Sequence, residues 1–261
     1  MEFELSYTLA GFVVGIIVGL TGIGGGAVMT PLLVLGFGIS PAVAVGTDLV
    51  YAALTKSTGV FVYGRKKLVA WRIVGALLFG SLPGALIALW ALNYFALGEF
   101  IETAIHITLS IALVLTSLIL FFRNYLPRLN NEKNAPPLHQ WLIRHRLKIT
   151  ILAGFMLGIL VTLSSVGAGA LGTALLVMLY PALAIPAIVG TDLAHAVVLA
   201  SVAGVGHLHL GTVDVSLLVS LLLGSLPGVY LGSHFGSRLP EEIVRPAVAG
   251  MLLLVGLRFA F

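Results

Sequence analysis

Three ionisable residues fall well inside long apolar runs: Asp48, Lys56 and Asp192. A charge at the centre of a bilayer costs about 2.5–3.5 kcal/mol on insertion scales, so such a residue is functional or paired. The two acids occur in near-identical settings, Val45-Gly46-Thr47-Asp48-Leu49 and Val189-Gly190-Thr191-Asp192-Leu193. On a helix Asp48 shares a face with Tyr51 and Thr55, and Asp192 shares one with His195. Two chemistries fit this pattern. The carboxylates can exchange protons, with His195 joining the relay. Alternatively, each caps a neighbouring broken helix or pairs with Lys56, and an acid directly after Gly-Thr is a good capping residue. Lys56 lies about halfway along its run, too deep to snorkel with ease, and reads as a counter-charge; Ala200 stands at its equivalent.

Glycine-rich breaks supply a second kind of chemistry. They occur at Gly22-Ile23-Gly24-Gly25-Gly26 and at Ser164-Ser165-Val166-Gly167-Ala168-Gly169. Helices starting just after Gly26 and Gly169 would present unpaired N–H groups and positive dipole ends, which bind anions without a buried cation. Thr21, Thr30, Ser164, Ser165 and Thr173 can add hydroxyl donors. With Gly24, Gly25, Gly26, Gly167, Gly169 and Lys56 they form the candidate binding set. Gly11, Gly15 and Gly19, and likewise Gly224, Gly228 and Gly232, have the spacing of close helix packing instead. No Lys-Ser/Thr follows the glycines, which argues against a nucleotide-phosphate loop. His207-Leu208-His209 with Asp214 nearby lacks a fourth ligand, so no metal is expected. Pro83 and Pro227 are expected to kink their helices.

The elements that must position these residues follow from composition. Of 261 residues 59% are hydrophobic and 9% charged, against about 25% charged in a soluble domain. Mean hydropathy is +1.11. A soluble enzyme, a nucleic-acid module and a disordered chain are excluded; the net charge of +4 lies between apolar runs, as membrane topology requires. Cysteine is absent, so no disulfide framework or Cys-metal site exists. Apolar runs at 41–63, 70–92, 100–122, 183–206, 213–234 and 241–261 each approach the roughly 20 residues of a membrane helix. Stretches 6–37 and 149–180 each read as two helical pieces meeting within the membrane. The acidic start, Met1-Glu2-Phe3-Glu4, does not resemble a signal peptide and reads as retained.

The chain divides into a membrane repeat over 1–122, a cytoplasmic linker over 123–148 and a second membrane repeat over 149–261. Gly11 and Gly15 match Gly154 and Gly158, and Thr30 matches Thr173, at an offset of 143 residues. Asp48 matches Asp192 at 144, and Gly80-Ser81-Leu82-Pro83-Gly84 matches Gly224-Ser225-Leu226-Pro227-Gly228. Twelve of 14 basic residues fall within 65–72, 123–148 and 238–245, which are expected to be cytoplasmic; the N-terminus and the 93–100 and 207–212 loops hold none and are expected outside. Equivalent loops thus face opposite sides. Three full spans plus a returning broken pair per repeat satisfy this, giving an all-α polytopic fold of two inverted-topology repeats.

Gly19-Leu20-Thr21-Gly22-Ile23-Gly24-Gly25-Gly26 with Pro31, the Pro41–Asp48 stretch, its echo ending at Asp192 and the Gly-Ser-Leu-Pro-Gly pair resemble the sulfite exporter TauE/SafE family of bacterial membrane permeases over nearly the full length. Family patterns often carry a small hydroxyl residue where this chain has Asp48 and Asp192. The resemblance implies a multi-pass protein of the bacterial inner membrane that moves small sulfur-containing anions such as sulfite or organosulfonates, usually outward. The expected reading is a secondary-active transporter, not an enzyme. It binds its anion at the midplane glycine breaks, and it is proton-coupled if Asp48 and Asp192 titrate. No cofactor, nucleotide or nucleic acid is expected; the partners are the anion and the bilayer, with homo-oligomerisation left open. An anion channel is the first alternative, and an intramembrane hydrolase using Ser164 or Ser165 with His195 is the second.

Overall fold

The computed structural model describes residues 5–21, 26–95, 99–122, 137–167, 169–236 and 241–260, and every regular element among them is helical. The helices are α1 (Leu5–Thr21), α2 (Gly26–Pro31, continuing as a π turn over Leu32–Gly36), α3 (Pro41–Arg65), α4 (Trp71–Tyr94) and α5 (Glu99–Phe122). Then come α6 (Pro137–Arg144), α7 (Arg146–Ser164), α8 (Ala170–Leu179), α9 (Ile185–His209), α10 (Val215–Gly236) and α11 (Glu241–Ala260). Helix is the expected outcome, because hydrocarbon offers the backbone no partners and each segment must pair its own N–H and C=O groups. Helices α3 and α9 both open with proline in the first turn, where its missing N–H costs nothing. Helices α4 and α10 continue through Pro83 and Pro227.

Among the described residues, five helices are long and apolar enough to cross a membrane: 71–94, 102–122, 146–164, 185–209 and 215–232. Helix α3 has the length, at 25 residues, but carries Asp48, Lys56 and Arg65, and its neighbours bury only its first half, from Pro41 to Ala53. Large apolar side chains such as Phe79, Trp90, Tyr230 and Leu254 cover the outside, as a bilayer-facing surface requires.

Two sequence expectations are adjusted. The broken pairs are unequal: α7, at 19 residues, spans about 28 Å by itself, whereas α8, at 10 residues, reaches about half that. The region expected as linker is partly helix. It contains α6, and Arg146 and Lys148 belong to the first turn of α7; residues 123–136 lie outside the described residues.

The repeats interlock rather than stand side by side. Helix α1 packs along α10, and α7 along α4. These contacts are reciprocal and use the expected glycines. A Cβ on Gly80 or Gly84 would strike the carbonyl oxygens of Ile151 or Phe155, and one on Gly224 or Gly228 would strike those of Thr8 or Phe12. Gly11 and Gly15 lie equally close to the backbones of Leu221 and Ser225, and Gly154 and Gly158 to those of Leu77 and Ser81. Small residues thus let backbones touch where lipid gives no hydrophobic drive.

Equivalent helices also meet each other. Val50 of α3 lies against Gly204 of α9, and Gly59 against Leu193, so the two run antiparallel. Helices α5 and α11 do the same: Ser110 donates to the Gly256 carbonyl at 2.8 Å and Ser117 to that of Ala249 at 2.7 Å. Antiparallel contact between equivalent helices is what inverted repeats require. Leu49, Ala53, Ala196, Leu199 and Ala203 fill the apolar core between α3 and α9.

Candidate functional site

The Gly-Thr-Asp sequence, present once in each repeat, acquires a distinct task at each residue. The glycine gives room for the opposite repeat. A Cβ on Gly46 would meet the Thr212 carbonyl and the His207 ring, and one on Gly190 would meet the Leu68 carbonyl and the Tyr63 ring. The threonine pins the opposite loop. Thr47 Oγ1 accepts the Asp214 N–H at 3.0 Å, and Thr191 Oγ1 accepts the Ala70 N–H at 2.9 Å. The aspartate ties down the short helix of its own repeat. Thr30 of α2 donates to Asp48 Oδ2 at 2.6 Å, and Thr173 of α8 donates to Asp192 Oδ2 at 3.0 Å.

This geometry shows which part of the neighbouring short helix each carboxylate meets. Asp48 is the eighth residue of α3 and Asp192 the eighth of α9, so neither is at the N-terminus of its own helix. Each carboxylate takes a side-chain hydroxyl from the body of a short helix. A hydrogen bond to a charged acceptor contributes about 1.5–3 kcal/mol, enough to hold a segment too short to be stable unaided.

The second oxygen of each carboxylate, Oδ1, has no hydrogen-bond partner although both residues are buried. The Gly172 Cα lies directly against Asp192 Oδ1, so any side chain there would displace the carboxylate. Lys56 lies within electrostatic reach of Asp192 first and Asp48 second, and also of His195. Lys56 therefore acts electrostatically on acids from both repeats.

One helical turn further along, the symmetry recurs. His195 Nε2 is 2.9 Å from Ser81 Oγ on α4, and its Nδ1 has no partner. At the equivalent place the Tyr51 hydroxyl faces Ser225 on α10 without closing a hydrogen bond. Ser81 and Ser225, which the sequence singled out only as members of the repeated Gly-Ser-Leu-Pro-Gly motif, thus join the site; their offset of 144 from one another was the available signal.

The breaks divide into used and unused hydroxyls. Ser164 Oγ donates to the Leu160 carbonyl at 2.6 Å and accepts the Val166 N–H at 3.2 Å, so it closes the end of α7. Ser165 is left-handed, at φ 56°, and buried; its hydroxyl faces Asp48 and makes no hydrogen bond. Gly167, at φ 111°, turns the chain through a region that side chains avoid, and Gly169 precedes α8 as expected. Helix α2 starts at Gly26. Gly24, Gly25 and the Thr21 side chain lie outside the described residues. Thr55 is spent on the Tyr51 carbonyl at 2.9 Å.

Two further expectations change. His207 is a buried residue of α9, not a loop residue: its Nε2 donates to the Thr162 carbonyl at 3.0 Å, and its Nδ1 is 2.8 Å from Thr212 Oγ1. His209 is exposed, and no group of three metal-ligating side chains occurs among the described residues. The hydrolase geometry is also not met, because the hydroxyl within reach of His195 is Ser81 rather than Ser164 or Ser165. No second partner orients that imidazole, as nucleophilic catalysis by such a pair requires.

Comparison with known proteins places the chain. It is 39% identical over 257 residues to the probable membrane transporter protein YjnA of Bacillus subtilis, covering 98% of this chain and 99% of that protein. It is 28% identical over 251 residues to the probable membrane transporter protein YdhB of the same organism, covering 93% and 97%. No solved structure matches significantly. The family profile described as sulfite exporter TauE/SafE matches residues 7–259, and with it the paired Gly-Thr-Asp clips and interlocked repeats have their assignment: the chain belongs to the TauE/SafE family of membrane transporters.

Proposed function

We propose that this protein is a secondary-active exporter of small sulfur-containing anions, sulfite or organosulfonates, and that Asp48 and Asp192 couple the anion to protons. The observation that carries the reading is the buried polar cluster at which both repeats converge. Asp48 Oδ1, Tyr51 OH, Ser165 Oγ, Asp192 Oδ1 and His195 Nδ1 are buried and have no hydrogen-bond partner among the described residues. In hydrocarbon each such group costs several kcal/mol unless a ligand or solvent satisfies it. The cluster lies between the two contacts made by Gly46 and Gly190, each two residues from an aspartate. A site flanked by equivalent closures on opposite-facing repeats is the arrangement that alternating access uses.

Charge counting sets the coupling. Two ionised carboxylates and one ammonium sum to −1, which repels an anion. One bound proton brings the cluster to neutrality, and two bring it to +1. The anion therefore enters with both carboxylates protonated; Asp48 and Tyr51 lie toward one closure, Asp192 and His195 toward the other, and Lys56 between them along α3. Export is the direction for which the family is named; with protons moving alongside the anion it requires an outward anion gradient that exceeds the inward proton gradient, and in a vesicle direction follows the imposed gradients.

The test is flux in proteoliposomes with an imposed pH gradient, offering sulfite, organosulfonates, sulfate and carboxylates in turn. Net movement of a sulfur oxyanion from the acidic to the alkaline side, with proton movement in the same direction, is expected. Flux indifferent to the pH gradient removes the proton coupling, and no flux of any anion removes the transporter reading. The channel alternative is disfavoured by the close contacts at Gly46 and Gly190, which pack the two repeats tightly on either side of the aspartates.

A further inference from the structure

Apart from the central cluster, a cleft of about 690 Å³ opens between the starts of α4 and α7 and the α8–α9 connection. Its polar lining is Arg72, Arg146 and Tyr180; Ile73, Leu147 and Leu183 supply apolar walls, and the lining contains no acid. We propose that this cleft binds the phosphate head group of an anionic membrane phospholipid, with its acyl chains lying along the apolar wall.

Three features argue for a lipid. First, the arginines come from the two clusters that basic-residue bias places on the cytoplasmic side, 65–72 and 144–148, and the fold brings them to one opening. Basic pockets between membrane helices on that side recognise anionic head groups. Second, the site is preorganised. Thr150 Oγ1 donates to the Arg146 carbonyl at 2.7 Å, which leaves the Tyr180 hydroxyl to donate to Thr150 at 2.9 Å. The Arg146 guanidinium lies over the ring so fixed, 5.6 Å from its centroid, within cation–π reach, and its N–H groups can make a bidentate phosphate contact. Third, repeat symmetry does not require the charge. The equivalents of Arg72 and Arg146 are Ser216 and Phe3, at offsets of 144 and 143. The arginines mark only one side of the molecule, the one expected to face the anionic leaflet.

The experiment is native mass spectrometry of protein released from nanodiscs containing phosphatidylcholine with either phosphatidylglycerol or cardiolipin. Wild type is expected to retain anionic lipid and not phosphatidylcholine. Arg72→Gln and Arg146→Gln are expected to lower retention about fivefold each. Arg65→Gln, on the same side but outside the cleft and stacked on Phe61 at 4.2 Å, is the control and should change nothing. Lysine at either position should restore part of the retention, which separates lost charge from lost fold. Equal retention by the double glutamine variant overturns the proposal. So does displacement of bound lipid by millimolar inorganic phosphate, which would mark a site for free anions.

Discussion

Asp48 and Asp192 each spend one oxygen on a threonine and keep the other without a protein partner, while Lys56 stands between them on electrostatic grounds. Removing Lys56 takes away a positive charge that acts on both carboxylates. Lys56→Met is therefore expected to destabilise the fold by less than the ~3–5 kcal/mol lost when a fully buried pair is broken, because Lys56 is half-buried. Adding Asp192→Asn should recover about 0.5–3 kcal/mol relative to additivity, read from thermal unfolding in detergent. Transport stays lost in the double variant, because Asp192 is needed for coupling as well as charge balance. Strict additivity of the two changes would show that Lys56 and Asp192 do not act as a pair. Asp48→Asn and Asp192→Asn alone are expected to fold and to lose flux driven by a pH gradient; wild-type rates in both would reject the coupling role.

At the scale of elements, glycine is the working residue, and its positions predict stability. Gly80→Ala and Gly224→Ala place a methyl against the Ile151 and Thr8 carbonyls. Overpacking of this kind costs about 1–3 kcal/mol, or about 2–12 °C in melting temperature. Gly75→Ala on the same α4 meets nothing within 4 Å and is expected to be neutral or slightly stabilising, since alanine is the better helix former. A uniform effect at all three positions would refute the packing argument. The helices themselves were legible in the sequence: 41–63, 70–92 and 100–122 became Pro41–Arg65, Trp71–Tyr94 and Glu99–Phe122, because apolar length is the dominant signal in a membrane chain. The aspartates and Thr30 and Thr173 were legible through their repeat equivalence. Ser81, Ser225 and Gly172 were not read as site residues. Their contacts join positions 20 to over 170 residues apart in sequence, where no local period or spacing exists to be read. His207 was misplaced because a polar His-x-His looks like a loop, whereas Thr162 and Thr212 satisfy its ring inside α9.

For the molecule as a whole, the decisive feature is that each repeat lends its first helix to the other. Fragments 1–136 and 137–261 are therefore expected to co-purify when expressed together. Each should be degraded when expressed alone, because its glycine face then lacks the backbone it was shaped for. Stable accumulation of either fragment as a monomer would contradict this. The exchange also has a temporal consequence. Gly11 and its partner Leu221 are 210 residues apart. At ribosomal speeds of about 5–20 residues per second, the first helix waits roughly 10–40 s for the tenth to emerge. During that interval the newborn bundle is an open clasp in the lipid, and some attendant of the insertion machinery must shelter its leading helix until the chain's last third arrives to fasten it.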